Sequence, residues 1–224
     1  MAVAFSGGLD SSVVAKCATR FARVVACAAF APTAGDASRA RAGAEALGIE
    51  LVVTELDSRA VAKELESIDL PFEPTLMDRS LWCLYSTVSR SAREAGARVL
   101  LLGQMADELF GGYAKYAEAL RGQGEMAARK MMEADAREYA VRGRVRDVSA
   151  CSHWAEARFP FEAHRVQEFA AALPMDFKIR GEVRKAVLRR AALALGVSEE
   201  VASAPKKAAQ YSSGVQKLVA SSHF

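Results

Sequence analysis

Two short stretches concentrate the residue types that do chemistry. The first, SGGLDSS at residues 6–12, sets two glycines, one carboxylate and three hydroxyls between an apolar run and the start of a helical pattern. Glycines let a backbone approach a ligand closely, and the amides and positive dipole end of a first helical turn favour an anion. The stretch therefore reads as a phosphate cradle. The same residue types also build a tight turn with a helix cap, the plainer reading of this segment. It is not a GxxxxGKS or GxxxxGKT loop, because no lysine follows the second glycine and the spacing differs. A carboxylate, Asp10, stands inside the cradle instead.

A carboxylate beside phosphates needs a cation between them, so Asp10 is expected to hold Mg2+ on phosphate oxygens. The second stretch, LLLGQMADELFGGY at residues 100–113, places Asp107 and Glu108 just past an apolar run of strand length. One Mg2+ shared by Asp10, Asp107 and a pyrophosphate is chemically sensible.

These groups need a scaffold that brings residues 10 and 107 to one edge. Four apolar runs have strand length: residues 2–5, RVVACAAFA from Arg23, IELVVTEL from Ile49 and RVLLLGQ from Arg98. Helical patterns separate them, with Val13, Val14, Cys17, Ala18 and Phe21 on one face and Ala40, Ala44 and Leu47 on another. Such alternation implies an α/β fold with a parallel sheet of four or five strands covered by helices. Ligands in such sheets bind at the carboxyl ends of the strands. SIDLPFEPTLMD, with two prolines, reads as a loop leading to a helix from about Arg79 to Gly96. Beyond Tyr113 the patterns read as helical: Glu125 to Ala140, Ala163 to Leu173, Gly181 to Leu195 and a last stretch from Pro205. The expected division is an α/β core over 1–112 and a helical C-terminal part over 113–224.

Composition narrows the class. The 224 residues are 51% apolar and 25% charged, which excludes a disordered chain, and no uncharged apolar run approaches the length of a membrane span. The apolar start runs straight into SGG without the charged front of a signal peptide, so the cytoplasm is the expected location. A net charge of +3 argues for no nucleic-acid or membrane partner. Cys17, Cys27, Cys83 and Cys151 form no CxxC pair and are expected to be reduced and mostly buried, and the three histidines are too scattered for a metal site.

Taken together, SGGLDSS and GQMADELFGGY resemble the ATP-pyrophosphatase (PP-loop) domain of the asparagine synthetase family. AEARFPFEAH at 155–164 is similar to that family's EARVPFLD segment, and PKKAAQYSSGVQK at 205–217 to its late lysine-containing loop. The overall pattern resembles most the short archaeal forms and the eukaryotic asparagine synthetase domain-containing protein. The resemblance implies an adenine nucleotide alpha hydrolase-like fold and a reaction in which ATP adenylates a carboxylate and ammonia displaces AMP. It implies that Ser6, Gly7, Gly8, Ser11 and Ser12 hold the pyrophosphate and that Asp10 and Asp107 bind Mg2+. Ala4, Ala29, Leu102 and Gly103 fall where the family packs the adenosine, and Gln104, Asp107 and Glu108 where it meets substrate. Lys206 or Lys207 would neutralise charge developing on the phosphates.

Two departures qualify the resemblance. No glutaminase domain stands before the loop in this sequence, so the expected nitrogen donor is free ammonium, a separate glutaminase subunit or another amine. The family motif has a glutamate where Gln104 stands; a carboxylate there could accept a proton from the attacking amine, and an amide cannot. Arg142, Arg144, Arg146 and Asp147 are candidate substrate residues in a segment that aligns poorly, with solvated charges as the plainer reading. Two other readings remain: an adenylating enzyme of tRNA modification, prompted by Lys178, Arg180, Arg184, Lys185, Arg189 and Arg190, and an ATP-binding protein without catalysis. Against the first, those basic residues are most simply the solvated face of an amphipathic helix. A homodimer is possible on the sheet's lateral surfaces.

Overall fold

The computed structural model describes residues 1–32, 34, 37–205 and 209–222. In chain order the core runs β1 (Ala2–Ala4), α1 (Leu9–Ala18), β2 (Val25–Phe30), α2 (Ala37–Leu47), β3 (Glu50–Glu55), α3 (Ser58–Glu66), α4 (Leu76–Glu94), β4 (Val99–Leu101) and α5 (Ala106–Phe110). Then come α6 (Ala114–Gln123), α7 (Glu125–Glu138), a π-helical turn at Tyr139–Gly143, α8 (Arg144–Cys151), β5 (Glu156–Arg158), α9 (His164–Ala172) and α10 (Met175–Lys178). The chain finishes with β6 (Ile179–Arg180), β7 (Val183–Arg184), α11 (Ala186–Ala194), α12 (Glu199–Ser203), α13 (Ala209–Ser212) and α14 (Val215–Ser221).

Five parallel strands form one sheet in the order β3-β2-β1-β4-β5. The order reverses at β1, whose partners are β2 on one side and β4 on the other, so the segments after β1 and after β4 open the same crevice at the carboxyl edge. Strand residues alternate between two cores. Val3, Ala26, Ala28 and Phe30 face α1, α2 and α11, while Ala2, Val25, Cys27, Ala29 and Leu100 face α4, α8 and α14. A strand buried on both faces has no polar side to show, which explains why VACAAF carries none.

The α/β expectation holds, with two differences in the C-terminal part. The EAR of EARFPF forms β5 and extends the sheet beside β4, although the sequence beyond Tyr113 reads as helical. Ile179–Arg180 and Val183–Arg184 form a small antiparallel hairpin around Gly181 (φ +58), so the helix expected from Gly181 begins at Ala186. A third apolar cluster, built on Tyr116, Ala128, Met132, Met175 and Ile179, joins α6, α7 and α10 to this hairpin. The four cysteines are unpaired, and burial first of all pushes the Cys27, Cys83 and Cys151 thiols up to about 11, 12 and 12. Among the described residues no helix is long and apolar enough to cross a membrane.

Candidate functional site

The loop between β1 and α1 is shaped by its own hydroxyls. Ser6 Oγ accepts from Gly8 N at 3.3 Å, Ser11 Oγ accepts from Ser6 N at 3.3 Å and donates to Gly8 O at 3.1 Å. Gly8 itself is the N-cap of α1 and brings no side-chain acceptor, so no serine spends itself on a cap and the first-turn amides remain available to an anion. Gly7 has φ +69, and a Cβ on it would meet Arg39 O at 2.5 Å. Gly103, at the end of β4, lies so close that its Cβ would stand 3.2 Å from Asp10 Cβ. The turn-and-cap reading therefore explains the loop's shape but not its open helix end. Ser12 is fully buried and its Oγ finds no hydrogen-bond partner among the described residues.

Asp10 and Asp107 converge, and a cation already lies between them. Lys185 Nζ stands 2.7 and 2.6 Å from the two Asp10 carboxylate oxygens and 2.8 Å from Asp107 Oδ1. The lysine side chain is 5% exposed. Burial opposes its charge, but Asp10 and Asp107 outweigh burial and hold the ammonium above the ordinary lysine range. The geometry demands unusual backbone: among the described residues, Lys185 (φ 55) and Met105 (φ 72) are the non-glycine residues with positive φ. A Cβ on Gly112 would collide with Asp107 Oδ1 and Lys185 Cε, so only glycine lets the three groups meet. Two carboxylates focused on one cation suit Mg2+, which takes one or two protein carboxylates and completes its shell with water and phosphate oxygens. Among the described residues no group of three or more metal-ligating side chains gathers, so the protein share of such a site is this pair.

A cavity of about 480 Å³ extends from this point. Ala4, Ser6, Asp10, Ser11, Ala29, Leu102, Gly103, Gln104, Asp107 and Glu108 line it, uniting most of the residues singled out in the sequence. Gly7, Gly8 and Ser12 shape the loop from behind. Glu108 is buried and accepts from Tyr113 Oη at 2.9 Å. Lys206 and Lys207 lie outside the described residues.

The cavity's far wall is a buried ionic network that takes in Arg142, Arg146 and Asp147, candidate substrate residues for which solvated charge is the plainer reading of the sequence. Gln104 Nε2 donates to Asp147 Oδ2 at 2.8 Å, Tyr139 Oη to the same oxygen at 3.1 Å, and Arg146 Nε to Asp147 Oδ1 at 2.8 Å. Arg146 also reaches Asp78 Oδ1 at 3.0 Å, and Arg142 reaches Asp78 Oδ2 at 2.7 Å. Burial would raise the Asp78 carboxyl, but bonds from Thr75, Arg142 and Arg146 outweigh it and hold its pKa at about 2. The π-helical turn at Tyr139–Gly143 carries Tyr139 and Arg142 onto this wall; such turns recur at functional sites.

The basic cluster near the C-terminus is only in part a solvated face, since Arg180 and Arg190 are exposed but the other four residues are not. Lys178 and Lys185 are buried, Arg184 donates to Gly112 O at 2.9 Å, and Arg189 to Arg184 O at 2.8 Å. A signal was present for Asp147, which shares the i, i+3, i+4 face of buried Ala150 and Cys151, but not for Lys185, which stands at the left-handed N-cap of α11.

Comparison with known proteins identifies the family. The sequence profile of asparagine synthase matches residues 1–148 and 121–221. "Putative asparagine synthetase (glutamine-hydrolyzing) 1" of Methanocaldococcus jannaschii is 30% identical over 254 residues, covering 96% of this chain and 46% of its own length. "Asparagine synthetase domain-containing protein 1" of Bos taurus is 32% identical over 161 residues (64% of this chain, 25% of that protein), and that of Homo sapiens 30% over the same length. The chain thus spans about half of the archaeal relative and a quarter of the mammalian ones. With a carboxylate pair at the mouth of an SGGLDSS cradle and a profile match along nearly its whole length, the chain belongs to the asparagine synthase family.

Proposed function

We propose that this chain is the synthetase part of an ATP-dependent, AMP-forming carbon–nitrogen ligase. It would adenylate a small carboxylate with release of pyrophosphate, then pass the acyl group to ammonia or another amine. The observation that carries this reading is the convergence of Asp10 and Asp107 on one buried cation beside the open end of α1. When bound by these two carboxylates, Mg2+ would neutralise phosphate oxygens.

The chain's own residues divide the remaining work. Ala4, Ala29 and Leu102 give an apolar seat to the adenosine, and the first-turn amides of α1 with Ser6 receive the phosphates. Lys185 would balance the Asp10 and Asp107 pair, while Lys206 or Lys207, as the resemblance implies, would meet charge that develops on the phosphates. Gln104 keeps one N–H on Asp147 and leaves its carbonyl to orient an acceptor in the cavity. Because an amide takes no proton, the attacking amine must give its proton elsewhere.

The test is product identity. With the correct carboxylate and ammonium, ATP should yield AMP and pyrophosphate in equal amounts, and Asp10→Asn should abolish both. ADP as the product would sink the reading, because it requires attack at the γ-phosphorus.

A further inference from the structure

A second cation stands at the cradle, away from the carboxylate pair. Arg39, near the start of α2, is half-buried, and its Nε donates to Gly7 O at 3.2 Å. Gly8 lets the guanidinium come close: a Cβ there would be crowded at 3.2 Å from Ser6 Oγ and 3.4 Å from Arg39 Nη2. The guanidinium and the Ser6 hydroxyl therefore flank one opening at the helix end. Gly7 is what brings Arg39 so near, since any side chain at residue 7 would strike the Arg39 carbonyl and Ala40 Cα.

Charge gives this opening a purpose. Lys185 is shared by Asp10 and Asp107, so its single positive charge is already met by two negative ones. The partner of Arg39 Nε is a carbonyl, which orients the guanidinium without cancelling its charge. We propose that Arg39 is the binding residue for the β and γ phosphates of ATP and the holder of pyrophosphate after cleavage. A guanidinium fixed through Nε presents Nη1 and Nη2 as a fork to two phosphoryl oxygens.

This assignment rests on the AMP-forming reading above. In that step a substrate carboxylate oxygen forms a bond to the α-phosphorus. The bond from the α-phosphorus to the α–β bridging oxygen breaks, and its electron pair leaves on pyrophosphate. The negative charge gained by pyrophosphate then faces Arg39. SGGLDSS itself carries no cationic side chain to meet it.

Calorimetric titration of the intact chain with magnesium pyrophosphate and, separately, with AMP tests the assignment. Arg39→Gln should weaken pyrophosphate binding about 10- to 100-fold, as expected for loss of charge-assisted bonds, and leave AMP binding within about twofold. Arg39→Lys should recover part of the pyrophosphate affinity and none of the bidentate share. Pyrophosphate binding by Arg39→Gln equal to that of the wild type would overturn the role of Arg39 while leaving the AMP-forming reading intact. An equal loss of AMP and pyrophosphate binding in both variants would also overturn it, since it would mean that Arg39 only pins Gly7. A wild-type chain that binds no pyrophosphate would remove the AMP-forming reading and this assignment together.

Discussion

Lys185 Nζ touches both carboxylate oxygens of Asp10, at 2.6 and 2.7 Å, across 175 positions of sequence. The pair ties the first loop of the sheet to the start of α11, and Asp107 completes it from the end of β4. Three distant segments thus meet at one point where two carboxylates share one ammonium, and each is held there by backbone that ordinary residues avoid.

Removing that charge should expose what it balances. In Lys185→Met the Asp10 and Asp107 carboxylates face each other without a counter-ion, a change that costs about 3 kcal/mol when fully buried and less here because both are partly exposed. Thermal denaturation should show a lower Tm, and added Mg2+ should raise the Tm of the variant by more than that of the wild type. Equal magnesium shifts in the two proteins would mean that the carboxylates do not act as a cation pair.

Gln104 is locked in its role by Asp147. Gln104→Glu would set a carboxylate against Asp147 Oδ2, which now accepts from the amide at 2.8 Å. The expected cost is about 1–3 kcal/mol, read as a lower urea midpoint. Combined with Asp147→Asn, the loss should fall short of the sum of the two single losses by about 1 kcal/mol, the mark of direct coupling. Strict additivity would show that the contact carries no energy.

Asp78 should make the protein acid-sensitive. Its folded pKa of about 2 lies below the unfolded value of 3.8, so its contribution is fully present above about pH 3.8 and is lost as pH falls through about 2. The shift corresponds to a contribution on the order of 2 kcal/mol. Asp78→Asn should lower stability at pH 6 and flatten its decline between about pH 4 and 2, measured by urea unfolding across that range. A decline as steep as that of the wild type would show that Asp78 does not report the transition.

The strands through residue 101 and the two acidic motifs were legible because each rests on a local pattern: apolar runs punctuated by helical periodicity, and glycines beside carboxylates. The short strand β5 was not, since EAR alternates charge and alanine and owes its extended form to pairing with Val99–Leu101. Lys185, Arg146 and Asp147 were misread for a related reason. Charge type suggests solvent, but Arg146 and Asp147 share a helix face with buried Ala150 and Cys151, Lys185 stands at the left-handed N-cap of α11, and Asp78, Asp10 and Asp107, which pair with Arg146 and Lys185, lie far away in sequence. Tertiary pairing overrides the local preference of a charged residue for water. Arg39 escaped notice because nothing in SRARAG marks one arginine as facing the glycine loop.

The strand β5 also sets an order of events during synthesis. Until residues 156–158 leave the ribosome, β4 is the outermost strand, and its free N–H and C=O groups form an unprotected edge of the kind that pairs with other chains. The helix α14, which packs on α3 and α4, arrives later still. A nascent chain that holds both acidic motifs therefore already has its central strands but neither a sealed sheet edge nor Lys185, so the two carboxylates of the crevice meet their shared ammonium only once residue 185 is made.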